Sequence, residues 1–319
     1  MPERVHLAPL PTPCDQADRL GAKLGLAPGQ LLVKRDDLTG LAGGGNKVRK
    51  LELLVGDALA SGCDTLITGG GRQSNHVRMT AAAANRVGLR CTVVLASEKP
   101  EVPTGNVVID ELLAPDIVWA GPLEYYPLEE RIELEAARLR ADGHTPYVMP
   151  IGGATPVGAF GYLLAADELR MQVPDVGLVV LANGSGGTHA GLVAGFGEHA
   201  MVLGVDVGTR PDLDDAVPAM ALQVAALDGR AAPTGTVQID HDRFGEGYGI
   251  PTASAREALD FAARLEGLVL DPVYTGKGMA GLIAAAREGR VGDRQTVFLH
   301  TGGMPALFSP RYAAWVRGE

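Results

Sequence analysis

Asp64-Thr-Leu-Ile-Thr68, Gly69-Gly-Gly-Arg-Gln-Ser-Asn75, His76 to Val87 and Cys91-Thr-Val-Val-Leu95 decide the fold when read in that order. The first segment is a short apolar, β-branched strand and the second a glycine-rich turn. The third places Val77, Thr80, Ala81, Ala84 and Val87 on one helical face, and the fourth is another strand. The pattern continues with Asp116-Ile-Val-Trp119, a charged helix near Leu128–Arg140, and Tyr147-Val-Met-Pro-Ile151. It resumes with Gly177-Leu-Val-Val-Leu-Ala182, Met201-Val-Leu-Gly-Val-Asp206 and Thr296-Val-Phe-Leu-His300. Apolar strands alternating with helices predict an α/β protein with open, twisted parallel sheets covered on both faces. Residues 51–155 form one candidate unit. Residues 1–50 with 156–319 form a second and larger one, with a crossing near Gly152-Gly-Ala-Thr-Pro156.

The chain has 319 residues, 46% hydrophobic and 21% charged, with a net charge of −10. That balance argues against nucleic acid as a partner, because polyanion binding needs a basic footprint. A small anion held by backbone N–H groups in one pocket is still compatible. Three scattered cysteines (Cys14, Cys63, Cys91) support neither a disulfide framework nor a zinc site, so no metal is expected. No apolar run is long enough to span a bilayer, and the N-terminus lacks a signal-peptide pattern. The expectation is a soluble, cytoplasmic protein.

Chemistry first surfaces in Val33-Lys-Arg-Asp-Asp-Leu-Thr-Gly-Leu-Ala-Gly-Gly-Gly-Asn-Lys-Val-Arg-Lys-Leu-Glu52. A strand runs through paired acids and a glycine turn into a helix capped by Asn46, with Val48, Leu51, Val55 and Leu59 as its apolar face. Lys47 falls in the first turn, where the helix dipole and the neighbouring Arg49 and Lys50 would depress its pKa. A Schiff-base lysine needs that, since only the neutral amine attacks a carbonyl. The competing readings are a solvated surface lysine and a nucleotide loop, although the Gly-Lys-[Ser/Thr] ending of the latter is missing.

A second loop, Gly184-Ser-Gly-Gly-Thr188, follows a strand and opens a helix. Gly184, Ser185, Gly186, Gly187 and Thr188 offer converging amides and two hydroxyls, a cradle suited to a phosphate monoester. The alternative is an ordinary strand-to-helix turn. Gln73-Ser-Asn-His76 stands at another strand-to-helix junction, where amides suit a carboxylate and Ser74 or Asn75 a ring hydroxyl. Ser and Asn are also ordinary helix caps. His76, His189 and His300 flank polar loops, with a structural role the simpler reading for each. Tyr248 and Tyr274 lie in loops as candidate proton donors or acceptors, or as packed turn residues. Thr301 ends the last strand, at the edge where open α/β sheets bind ligands.

In combination, Gly-Gly-Asn-Lys-x-Arg-Lys-Leu-Glu, Gln-Ser-Asn and Asp-Pro-Val-Tyr-x-Gly-Lys resemble the pyridoxal-phosphate enzymes that include D-cysteine desulfhydrase and aminocyclopropane-carboxylate deaminase. The resemblance runs from Leu10-Pro-Thr-Pro13 to Gly302-Gly-Met-Pro-Ala306. It implies the tryptophan-synthase β fold (fold type II), with the active site in a cleft between two domains, and pyridoxal 5′-phosphate as cofactor. Lys47 would be the Schiff-base lysine and Gly184–Thr188 the phosphate loop. Asn75 would meet the ring hydroxyl, Gln73, Ser74, Asn75 and His76 the substrate, and Tyr248 and Tyr274 would face it. Thr275 and Thr301 stand where the ring-opening deaminases carry an acid and a leucine. They resemble the desulfhydrase branch, with Thr301 as the neutral contact for the pyridine nitrogen. The implied reaction is β-elimination of D-cysteine to pyruvate, hydrogen sulfide and ammonia by a homodimer. Aminocyclopropane carboxylate is an alternative substrate. Arg72, where a small or aliphatic residue is usual, either points to solvent or favours an anionic group such as the sulfonate of L-cysteate. A nucleotide-binding protein is the alternative of a different class.

Overall fold

The computed structural model describes residues 3–318 and contains two sheets. The strands are β1 (Cys14–Gln16), β2 (Leu31–Lys34), β3 (Thr65–Gly70), β4 (Arg90–Leu95), β5 (Asp116–Trp119), β6 (Pro146–Val148), β7 (Val176–Asn183), β8 (Val202–Asp206), β9 (Gln238–Asp240) and β10 (Gln295–Leu299). The helices are α1 (Asp18–Lys23), α2 (Lys47–Ala60), α3 (Asn75–Val87), α4 (Asn106–Leu113), α5 (Tyr125–Ala141), α6 (Pro156–Gln172), α7 (Gly187–Phe196), α8 (Leu213–Leu227), α9 (Ala253–Glu266), α10 (Thr275–Arg287) and α11 (Pro310–Arg317).

The larger sheet has the order β1-β2-β10-β7-β8-β9 and the smaller β5-β4-β3-β6. Every pairing is parallel except β1 with β2. Helices cover both faces, as the apolar strands require. In the larger sheet, Leu163, Leu192 and Val217 pack on one side, and Leu20, Ala258 and Leu282 on the other. In the smaller sheet, Leu51 and Val77 pack on one face and Ile132 and Leu139 on the opposite one. We propose domain divisions near residues 50 and 155. The first falls inside α2, which buries Val48, Leu51 and Val55 in the smaller core and Leu53 in the larger.

Several boundaries differ from the sequence reading for physical reasons. β3 runs on through Gly69 and Gly70, paired with Val94 and Leu95, so the glycine turn starts later. The strand expected over Tyr147–Ile151 makes its last ladder bond from Met149 N to Ile67 O at 2.8 Å, and Ile151–Gly153 then forms a tight 3-10 turn with Gly152 at φ +70°. Leu59 is exposed, since the last turn of α2 runs past the core that holds Val48, Leu51 and Val55. The three-residue edge strands β1 and β9 are too short to carry a periodic signal.

Candidate active site

The C-terminal ends of β3, β7 and β10 face one cleft of about 970 Å³ between the two sheets. Lys47, Gln73, Ser74, Asn75, His76, Gly184, Ser185, Gly186, Thr188, Tyr248, Tyr274 and Thr301 all line it. Gly187 lies behind the wall, and so does Thr275.

Lys47 is held at the cleft floor by the loop before it. Gly45 N–H donates to Thr39 Oγ1 at 2.8 Å, and Thr39 donates back to Gly45 O at 2.9 Å. Gly44 has φ +74°, and a Cβ there would lie 2.0 Å from the Asp37 carbonyl, so only glycine fits. The expected Asn46 side-chain cap does not form. Its Nδ2 instead donates to Thr188 Oγ1 at 3.1 Å and its N–H to Thr301 O at 3.1 Å, stitching three segments of the cleft together. Burial lowers the Lys47 pKa to about 8. Of the cations named as a cause, Arg49 does not contribute, because it is turned away into ion pairs with Asp36 and Glu168. Cofactor capture by the cofactor-free protein should therefore quicken about tenfold per pH unit below 8 and level off above it. Stopped-flow absorbance across pH 6–10 (roughly the range that brackets this change) measures it, and a flat profile would refute the assignment.

The loop after β7 turns at Gly186 and starts α7 at Gly187. Ser185 and Thr188 are buried beside it. Lys50, which the sequence reading took only as a neighbouring cation, is fully buried beneath this loop. A Cβ on Gly187 would lie 2.6 Å from its Nζ. Among the described residues its only hydrogen-bond partner is the Gly152 carbonyl, at 3.1 Å. Burial, reinforced by Lys47, pushes its pKa far down. An amine so placed, under a helix N-terminus, takes up its proton only beside a counter-charge, which a phosphate dianion on the cleft side would supply. Gly152 keeps the space open, because a Cβ there would meet Ser185 Oγ at 2.4 Å and stand 3.5 Å from Lys47 Nζ. Neither Lys50 nor Gly152 could be singled out from local sequence, since Lys50 meets the Gly152 carbonyl across 102 residues and Gly152 packs against Ser185 from a separate segment.

Across the cleft, Ser74 Oγ caps α3 by accepting from Val77 N at 3.3 Å, leaving its proton free to donate. Asn75 Oδ1 accepts from Asn106 Nδ2 at 3.1 Å. The Gln73 side chain is committed to the 104–106 turn, donating to Thr104 O at 3.0 Å and accepting from Asn106 N at 2.8 Å. His76 is buried and neutral, its pKa driven down by burial and then by Lys47 and Lys50. His189 bonds Asn183 at 3.1 Å within the core, and His300 accepts from Gly302 N at 3.3 Å. Both are structural in this arrangement.

Tyr248 and Tyr274 meet hydroxyl to hydroxyl at 2.5 Å, and burial raises both phenol pKa values, so each is neutral at pH 7. Thr275 is fully buried and cannot face a substrate. Its Oγ1 donates to Asp271 Oδ1 at 2.7 Å, while the same carboxylate receives the N–H groups of Val273, Tyr274 and Thr275. Position 275 thus shapes the turn that carries Tyr274. Arg72 is exposed at the cleft mouth.

Residues 5–302 match the family model described as pyridoxal-phosphate dependent enzyme. D-cysteine desulfhydrases of Salmonella paratyphi B and Salmonella newport are each 43% identical over 321 aligned positions, covering 96% of this chain and 95% of theirs. A crystal structure described as an ACC deaminase homologue superposes with TM-score 0.90 at 34% identity, covering 99% of this chain and 96% of that one. Threonine deaminase isoform 2 from Solanum lycopersicum shares the fold at TM-score 0.66 and 16% identity, over 96% of this chain and 82% of its own. The chain belongs to the pyridoxal-phosphate-dependent enzymes of the tryptophan-synthase β fold, as a lyase or deaminase closely related to the D-cysteine desulfhydrases and ACC deaminase homologues.

Proposed function

We propose that this enzyme eliminates the β-substituent of D-cysteine, giving pyruvate, hydrogen sulfide and ammonia. The observation that carries the choice within the family is the neutral Tyr248–Tyr274 hydroxyl pair in the cleft that holds Lys47, with a threonine rather than an acid at 275. Full-length similarity to D-cysteine desulfhydrases supports it.

When bound, pyridoxal phosphate supplies an electron sink for the substrate α-carbon. The chain's residues do the positioning and proton work. The Gly184–Thr188 loop and the first turn of α7 would hold the phosphate, with Lys50 behind them. Lys47 would be the covalent anchor, and its amine, with a pKa near 8, would take the α-proton. Ser74 and the amides opening α3 would hold the substrate carboxylate, and Asn75 and Thr301 would contact the ring's polar atoms. Because burial keeps both phenols protonated, the Tyr248–Tyr274 pair serves as donor to the departing sulfur rather than as base.

Purified enzyme supplied with cofactor should release sulfide and pyruvate in equal amounts from D-cysteine. Tyr248→Phe should lower kcat on the order of 10²-fold, the size of a lost general acid. Absence of sulfide from D-cysteine, alongside keto acid from aminocyclopropane carboxylate, would replace this reading with ring-opening deamination. The exposed Arg72 guanidinium at the cleft mouth, without a hydrogen bond or ion pair among the described residues, favours a second reading with a sulfonated amino acid such as L-cysteate. Arg72→Ala would then suppress sulfonate turnover alone. We further propose a cytoplasmic homodimer, consistent with three free cysteines and with the prevalence of two-fold symmetry among enzymes.

A further inference from the structure

Lys277, in the first turn of α10, is fully buried, yet nothing in the proton chemistry above uses it. Its Nζ donates to the Phe244 carbonyl at 2.8 Å and the Gly247 carbonyl at 3.0 Å. It forms no ion pair within 4 Å among the described residues. A lysine buried at the cost of its hydration, with two backbone carbonyls and the more distant carboxylates of Asp206 and Asp271 in return, is an expensive clamp for a loop. The loop it clamps is Phe244-Gly-Glu-Gly-Tyr248, which carries the phenol facing Tyr274.

The rest of the loop is held from other directions. Tyr312 donates to Gly249 O at 2.7 Å, fixing the backbone just after Tyr248. Gly208 lets the β8 turn come so close that a Cβ would sit 3.0 Å from Tyr248 N. Tyr248 therefore hangs between two anchors, with Lys277 holding the side that precedes it. Gly245, Gly247 and Gly249 leave the backbone around Tyr248 little stiffness of its own, so the anchors must set the position of the phenol. Lys277 also sits three residues after Tyr274, which caps the N-terminus of α10. The start of one helix thus presents Tyr274 at its cap and Tyr248 through the ammonium clamp.

We infer that Lys277 is a positioning residue that holds Tyr248 in hydroxyl contact with Tyr274, and so sets the proton-donor pair of the elimination. The inference rests on the proposed role of that pair.

The test is a double-mutant cycle on the holoenzyme, using Lys277→Met, Tyr248→Phe and the combined variant with D-cysteine as substrate. Lys277→Met should lower kcat on the order of 10- to 100-fold, within the range for a displaced general acid. Cofactor affinity and the visible spectrum should stay unchanged, because the phosphate loop and Lys47 are held by other contacts. In the Tyr248→Phe background the same substitution should lower kcat less than about threefold, since the group it positions is already gone. Equal losses in both backgrounds would show a general structural role and overturn the inference. A Tyr248→Phe enzyme as fast as the parent would instead sink the proposed role of the tyrosine pair. Should Lys277→Met not fold, Lys277→Arg serves in the same cycle. Its guanidinium can still reach carbonyls but with displaced geometry, so it should lose kcat only where Tyr248 is present. Equal loss in both backgrounds again rejects the clamp.

Discussion

Lys47→Ala should yield a colourless protein that turns over D-cysteine on the order of 10⁴-fold more slowly, because covalent anchor and base are lost together. The substitution should cost the fold little. The lysine amine takes no hydrogen bond among the described residues, and the loop before it is held by Thr39, Thr188 and Thr301 through other atoms. Thermal melting measured beside the visible spectrum separates the two effects. Lys50 and Lys277 are also buried amines, but each is spent on backbone carbonyls. If Lys47→Ala still coloured with cofactor and kept activity within tenfold of the parent, the anchor would have to be reassigned to one of them.

Arg49→Met should destabilise the protein by about 3–5 kcal/mol, the usual cost of removing one partner from a buried ion pair. Arg49 spans two acids, with Nε and Nη2 on Asp36 and Nη1 and Nη2 on Glu168, each contact at 2.9 Å. Asp36 is fully buried and also receives Thr12 Oγ1 at 2.8 Å and Tyr162 OH at 2.5 Å. Burial alone would push its carboxyl up, but Arg49 outweighs it, helped by the two hydroxyls, and holds the pKa below the ordinary carboxylate range. In the parent, that depressed pKa contributes stability at neutral pH that disappears as pH falls through the folded-state value. Without the guanidinium the sign inverts. The Asp36 pKa rises, and the variant loses stability as pH climbs past the unfolded value of about 3.9. The gap between parent and variant should therefore widen from pH 4 to pH 7 in urea titrations, both on the rising side of about 3.9. A loss below about 1 kcal/mol, or a gap that narrows with pH, would mean the network carries little.

The sequence disclosed what depends on neighbours along the chain. Alternation of apolar strands with helices made the two parallel sheets legible, and the glycine-rich turns marked where Lys47, Ser185 and Thr188 would gather. What escaped was assembled across the chain. Lys50 beneath Gly187, Gly152 against Ser185, and Lys277 under the Tyr248 loop each become functional candidates only when distant segments meet. The Asn46 cap does not form because its backbone is already helical (φ −59°, ψ −23°), and its Nδ2 is turned toward Thr188 of α7. Thr275 marks the desulfhydrase branch by its place after Tyr274, but that its hydroxyl belongs to Asp271, four residues earlier, shows only in the folded turn. Local propensity said which side chains could cap or donate. Tertiary contacts chose their partners.

The sharing of α2 between both hydrophobic cores has a mechanical meaning. Gly161 lets α6 press against the Arg49 carbonyl from the larger lobe, while Leu51 and Val55 are sunk in the smaller one. A helix gripped from both sides behaves as a hinge pin, and points on a pin travel least when the plates around it rotate. Ser74 and Tyr248 lie on opposite plates, Lys47 at the head of the pin. Closing of the cleft would thus change the distance between the proposed carboxylate holder and proton donor while Lys47, the proposed attachment point of the cofactor, stays nearly still.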